Sequence, residues 1–163
     1  MSARNATTAD DSLDAITDAL LTASRLLVAI SARSIADVDE SITIPQFRTL
    51  VILSSRGPMN LATLAGLLDV QPSTIGRMVD RLVTAALIDR QQHPSSRREL
   101  VVKVTSRGQK LVRMVTTRRR EEIARVVDNM PARERHGLVR ALTAFTAAGG
   151  EPDAHIDIDD QTF

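Results

Sequence analysis

The chain has 163 residues, 43% of them apolar and 25% charged, with no cysteine and a formal net charge of +1. That suffices for one domain or one intertwined subunit, and it excludes disulfides, thiolate metal sites and thiol switches. The only aromatic residues are Phe47, Phe145 and Phe163, too few to build the stacking platforms of single-strand and sequence-reading RNA modules.

The charge is unevenly placed. Residues 73–125 carry 13 basic and 5 acidic side chains, net +8, whereas residues 1–72 are net −3 and residues 126–163 net −4. A basic stretch between acidic flanks is the footprint of a duplex DNA-binding face, weighed against the ordinary arginine-rich helix surface. No signal-peptide core and no uncharged apolar run near the ~18 residues of a membrane span is expected. The reading is a cytoplasmic protein without a membrane partner.

Residues 1–10 are polar and read as a disordered N-terminus. A helix follows over about 11–38, its acidic start (Asp11, Asp14) suiting the positive end of the helix dipole. Leu13, Ile16, Leu20, Ala23, Leu27 and Ile30 form one apolar stripe, and Leu21, Val28 and Ile35 a second. Two apolar faces imply two neighbours, one in the same subunit and one in a second copy. Burial of both within a monomer is the alternative. Thr43-Ile44-Pro45-Gln46 is a capping box opening a helix that turns Phe47, Leu50, Val51 and Leu53 inward; Arg56-Gly57-Pro58 stops it.

The span 60–105 organises the rest. Asn60 caps a short helix with Leu61, Leu64, Ala65 and Leu68 at helical spacing. Asp69-Val70-Gln71 makes a turn, and Pro72 takes the first position of the next helix. That helix is expected to bury Ile75, Met78, Val79, Leu82, Val83 and Ala86. Ser73, Thr74, Gly76, Arg77, Asp80, Arg81 and Thr84 then face outward. This is a helix-turn-helix pattern, whose second helix enters the major groove. Two strands follow, Ile88–Gln92 and Leu100–Val104, with Leu100, Val102 and Val104 inward and Lys103 outward. The tip His93-Pro94-Ser95-Ser96-Arg97-Arg98 carries adjacent arginines, so the whole reads as a winged helix.

With these pieces in order, the chain resembles the MarR family of transcriptional regulators. QFRTLVIL matches the helix before the motif. NLATLAGLLDVQPSTIGRMVDRLVTAALIDR matches the helix-turn-helix, and SSRRELVVKVTSRG the returning strand and the next helix. Arg98 stands where the family places a wing arginine, but Ser96 replaces the usual aspartate. The resemblance covers roughly Leu13 to Ala147. It implies a mainly α fold of about six helices with a two- or three-stranded wing. Dimerisation helices at about 11–38 and 106–148 would flank a winged helix at about 43–105, all within a single domain at 11–148. It further implies a homodimer on two half-sites about one helical turn, ~34 Å, apart, and a small anionic or aromatic effector near Arg25, Arg33, Phe47 and Arg48.

Beyond the wing, Thr105 or Ser106 caps a helix to about Asn129. It carries Leu111, Met114, Val115, Ile123, Val126 and Val127, and a basic run, Arg118-Arg119-Arg120, read as a solvated face. A last helix spans Arg133 to Ala147 with Leu138, Leu142 and Phe145 on one side, ended by Gly149-Gly150. Residues 149–163 form an acidic tail.

Among the residues expected at DNA, Arg77 suits a guanine edge or a phosphate, and Ser73 and Thr74 suit phosphates, bases or N-terminal capping. Gln71 reaches a base or closes the turn. Arg81 suits a phosphate, and Arg97 and Arg98 the minor groove or phosphates. Gly76, costly inside a helix, suits close approach to the DNA backbone. His93, His136 and His155 are far apart, and no glycine-rich phosphate loop is present. The histidine and aspartates of residues 155–160 could chelate a metal only weakly. No catalytic residues, metal or cofactor are expected. The reading is a sequence-specific duplex DNA-binding regulator, a repressor by family expectation. The alternative is a winged helix used only for protein contacts.

Overall fold

A computed structural model describes residues 12–93 and 95–151; the segments read as disordered N-terminus and acidic tail, apart from residues 149–151, lie outside these. The described elements run α1 (Leu13–Ala36), α2 (Ile44–Arg56), α3 (Leu61–Leu68), α4 (Pro72–Thr84), β1 (Ile88–His93), β2 (Ser96–Val104), α5 (Ser106–Asp128), α6 (Ala132–Arg135) and α7 (Leu138–Ala148). This is the expected mainly α winged helix, with α6 a single turn.

Caps read from sequence are present. Thr43 and Gln46 form the reciprocal capping box of α2. Asn60 Oδ1 accepts from Thr63 N at 2.8 Å, and Pro72 opens α4. The turn between α3 and α4 is made by Asp69 in the left-handed region, φ 52°, a conformation that Asp tolerates better than most residues. Ala65, 4% exposed, lies in the core.

One core unites α2, α3, α4, the wing and the first half of α5. Leu50, Leu64, Val79 and Val115 are fully enclosed, joined by Phe47, Ile75, Leu82, Ile88 and Val112. Burying such a side chain stabilises by about 1.5–3 kcal/mol. The wing is a two-stranded antiparallel sheet in which Ile88 faces Val104 and Arg90 faces Val102. Val102 also bridges Met59, the remnant of a third strand.

The structure corrects several expectations. Leu100 does not point to the core but is 58% exposed, and Val101 is buried instead. Leu100 pairs with Gln92, next to the irregularity at Gln92/His93, where the hairpin has left the body of the domain. Ala86 is exposed because α4 ends at Thr84 and Ala86 takes a left-handed turn, φ 57°. Strand β2 begins at Ser96 rather than Leu100, so Arg97 and Arg98 are strand residues rather than turn residues. The last helix is two segments, because Gly137 adopts φ 80° between them.

Helix α1 is apolar for most of its length, although no uncharged run in it approaches 18 residues. It holds an 18-residue window of mean hydropathy 1.5, long and apolar enough to cross a bilayer by length and composition, with 6% of that window buried. Its apolar stripes wrap much of the helix, and its charges (Asp14, Asp18, Arg25, Arg33) are thinly spread. Only Ile30, Ser34 and Ile35 are buried, all near its C-terminal end.

Candidate nucleic-acid interface

Helix α4 is sharply two-sided. Ile75, Val79 and Leu82 are buried, and Met78 and Val83 pack against the core. Ser73, Thr74, Arg77, Asp80, Arg81 and Thr84 are exposed. Thr74, Arg77 and Arg81 follow at intervals of three and four, which stacks them on one face. Among the described residues neither Arg77 nor Arg81 forms an ion pair. Gln71, at the N-cap, makes no capping side-chain bond; Pro72 has no N–H and Thr74 N–H donates to Gln71 O at 2.9 Å, which leaves Ser73 N–H as the first-turn donor open to an outside acceptor. The capping role considered for Ser73 and Thr74 is not taken up, since both lie inside the helix. An added Cβ at Gly76 would meet nothing within 4 Å, leaving open space beside the α4 backbone.

The wing is tied to this helix by contacts that sequence reading missed. Arg90 of β1 pairs with Asp80 of α4. Asn60, the cap of α3, donates from Nδ2 to Glu99 Oε1 of β2 at 2.6 Å. Thr105 joins the far end: its backbone N–H donates to Leu87 O at 3.0 Å. Its Oγ1 donates to Ala86 O at 2.7 Å and accepts from Gly108 N at 3.0 Å. A Cβ on Gly108 would stand 2.3 Å from Leu87 O and 2.7 Å from Val104 Cγ2. Only glycine lets α5 start against the α4–β1 turn. The sequence signal for this contact is the Thr105-Ser106-Arg107-Gly108 spacing. The side chains of Arg97 and Arg98 lie outside the described residues, so only their place on β2 is fixed. His93 Nδ1 interacts with Ser95 at the wing tip.

Of the four residues expected near an effector, the three arginines are exposed and Phe47 is buried. Phe47 is 4% exposed, inside the core. Arg33 pairs with Glu122 of α5 at 2.9 Å, and Arg48 with Glu151 at 3.3 Å. Arg25 is exposed on α1. The basic run on α5 divides. Arg118 pairs with Asp37 of α1 at 3.2 Å, and Arg120 is exposed. Arg119 is half-buried, its Nε without a hydrogen-bond partner among the described residues. Burial pulls its guanidinium below the usual arginine range. No group of three or more potential metal ligands occurs among the described residues.

This geometry agrees with three kinds of relationship. The MarR family model matches residues 42–100, the span from the loop before α2 into β2. The crystal structure of RV1404 from Mycobacterium tuberculosis is 74% identical, with a TM-score of 0.82, over 88% of this chain and 98% of that one. The uncharacterized HTH-type transcriptional regulator YsmB of Bacillus subtilis is 31% identical over 81 residues, 50% of this chain and 56% of YsmB. The chain thus spans little more than half the length of that relative. The F27L mutant of MepR from S. aureus, solved bound to an oligodeoxyribonucleotide, shares the fold. It has a TM-score of 0.62 at 20% identity, over 82% of this chain and 96% of that one. The buried core of residues 42–104, the helix-turn-helix and the tethered wing together place this chain in the MarR family of winged-helix transcriptional regulators.

Proposed function

We propose that the protein is a sequence-specific double-stranded DNA-binding transcriptional regulator that acts as a homodimer. One observation carries this reading: α4 turns its apolar side into the core, with Ile75, Val79 and Leu82 buried, and leaves Thr74, Arg77 and Arg81 on one outer face without ion pairs among the described residues. A protein-only winged helix has no need of free arginines there. Burying them at a protein contact would cost several kcal/mol per unpaired ion. Arg77 reads a base edge, and Gln71, Ser73 and Thr74 contact bases or backbone at the start of α4. Arg81, Arg97 and Arg98 neutralise phosphates. The apolar faces of α1 and α7 close on a second copy. That sets two winged helices on half-sites about 34 Å apart in a pseudo-palindrome. The finer reading is repression, by occupation of such an operator. A duplex DNA target fits the cytoplasmic location expected from the sequence.

The test begins by selecting bound genomic fragments, then titrates the selected duplex at several salt concentrations. Arg77→Ala is expected to lose about 1–3 kcal/mol of discrimination at one operator position. Arg98→Ala is expected to weaken all sequences alike and to lower the salt slope by about one per phosphate lost. If the wild type shows no salt-dependent binding to any duplex, DNA recognition falls and the protein-contact alternative takes its place.

A further inference from the structure

Glu151, just past α7, sits against α2: its Oε2 accepts from Arg48 Nη2 at 3.3 Å. Beyond it, residues 152–163 carry Asp153, Asp157, Asp159 and Asp160 and no lysine or arginine, a side-chain net charge of −4. We propose that this acidic segment crosses the start of α2 and docks on the outer face of α4 of the same chain. Its aspartates pair there with Arg77 and Arg81 and compete with DNA for them. The competition rests on the DNA-binding reading; the contact itself does not.

Thr43 and Pro45 of α2 line one cleft with Arg77 and Arg81 of α4, so the two helices adjoin at that end. Thr49, one turn further along α2, touches Met78 of α4, its Oγ1 donating to Sδ at 3.0 Å. Arg48 lies three residues beyond Pro45, about 5 Å along the axis and on the neighbouring part of the surface. Packed helix axes stand about 8–10 Å apart, so Glu151 is held on the order of 15 Å from the α4 arginines. An extended chain from Glu151 to Asp160 reaches about 30 Å, so the helices need not move for the aspartates to arrive. Charge then selects the face. Arg77 and Arg81 are exposed on successive turns, neither in an ion pair with any described residue. The acidic side chain of α4 itself, Asp80, is engaged by Arg90, so the helix does not neutralise its own arginines. Single exposed pairs contribute little. A tethered segment, however, is present at an effective concentration of about millimolar, and several weak pairs then compete at low salt.

The chain has no cysteine, so Ile158→Cys accepts a single nitroxide on the full-length protein. Spin-labelled ¹⁵N protein is mixed with an excess of unlabelled ¹⁴N protein, so that any dimer pairs it with a silent copy. The backbone amides of residues 73–81 should broaden in the NMR spectrum. Salt at about 1 M, where the screening length is about 3 Å, should release them. Broadening that appears only when nitroxide and ¹⁵N are on different copies would put the segment on a partner's α4 and overturn the same-chain contact. Broadening confined to other helices, or none, overturns the docking altogether. The competition has its own test. Replacing Asp153, Asp157, Asp159 and Asp160 together by asparagine should raise operator affinity about three- to tenfold at low salt. The same change of charge made at Asp10, Asp11, Asp14 and Asp18 should give a much smaller rise. An equal rise in both variants makes net charge the cause, and no rise in either leaves DNA unopposed; each overturns the competition. A wild type that binds no duplex ends the DNA-binding reading, and the nitroxide broadening still decides the contact.

Discussion

Between α2 and the first half of α5 the core is enclosed by its own chain: Leu50, Leu64 and Val79 have no accessible surface. Along α1 and α7 the opposite holds, with Leu13 80%, Val139 81% and Phe145 54% exposed. Both regions have apolar residues at helical spacing. They differ in whether the chain supplies the opposing surface. The winged helix is completed by α2, α3, α4, β1, β2 and α5 with Ile35 from the end of α1, whereas most of α1 and α7 presents apolar faces that a single copy leaves in water. Exposure on this scale marks an interaction surface. It teaches that the recognition unit is a finished part, while the terminal helices are half of one.

Breaking the terminal half should have the largest consequence. Leu142→Glu with Phe145→Glu places two charges on the exposed face of α7. It is expected to cost about 4 kcal/mol or more of association free energy and to leave the winged helix folded. Sedimentation would show monomers with retained helicity, and operator binding would fall with the dimer. Unchanged mass would mean that α7 is covered by something other than a second copy. Within the finished half, Leu50→Ala is expected to lower stability by about 2–5 kcal/mol, as buried large-to-small changes do. Denaturant midpoints check this, and a smaller loss would show that the core can collapse around the gap.

Two glycines sharpen the comparison further. Gly108→Ala drives a methyl against Leu87 O and should destabilise by about 1–3 kcal/mol or more, seen as a lower melting temperature and loosened wing amides in hydrogen exchange. Gly76→Ala meets open space, so it should stabilise the free protein by up to ~1 kcal/mol. The same change should weaken operator binding where the DNA backbone approaches α4. A variant that melts higher yet binds as well as wild type would remove that role from Gly76.

Much of the fold was legible because its signals are local. The caps at Thr43 and Asn60 and the proline opening α4 depend on residues within one turn. So did the division of α4 into buried Ile75, Val79 and Leu82 and exposed Arg77 and Arg81. Errors fell where local pattern and tertiary position disagree. Leu100 keeps the strand alternation but sits beyond the edge of the core. Ala86 continues the helical stripe but lies past the last turn. Gly137 interrupts a pattern that periodicity alone would carry through. Phe47 was read as inward from its helix spacing, and it is buried in the core.

By itself the sequence determined the order of elements from α1 to α5 and the basic face of α4, which follow from periodicity, charge and short spacings, and it pointed to the family through its resemblance to known motifs. Only the tertiary structure decided how the parts are joined. It sets Arg90 on Asp80 and Asn60 on Glu99, and packs α5 against Leu87 through Gly108. These contacts link residues remote in sequence or fix a side chain's direction, and spacing along the chain encodes neither until the core has packed.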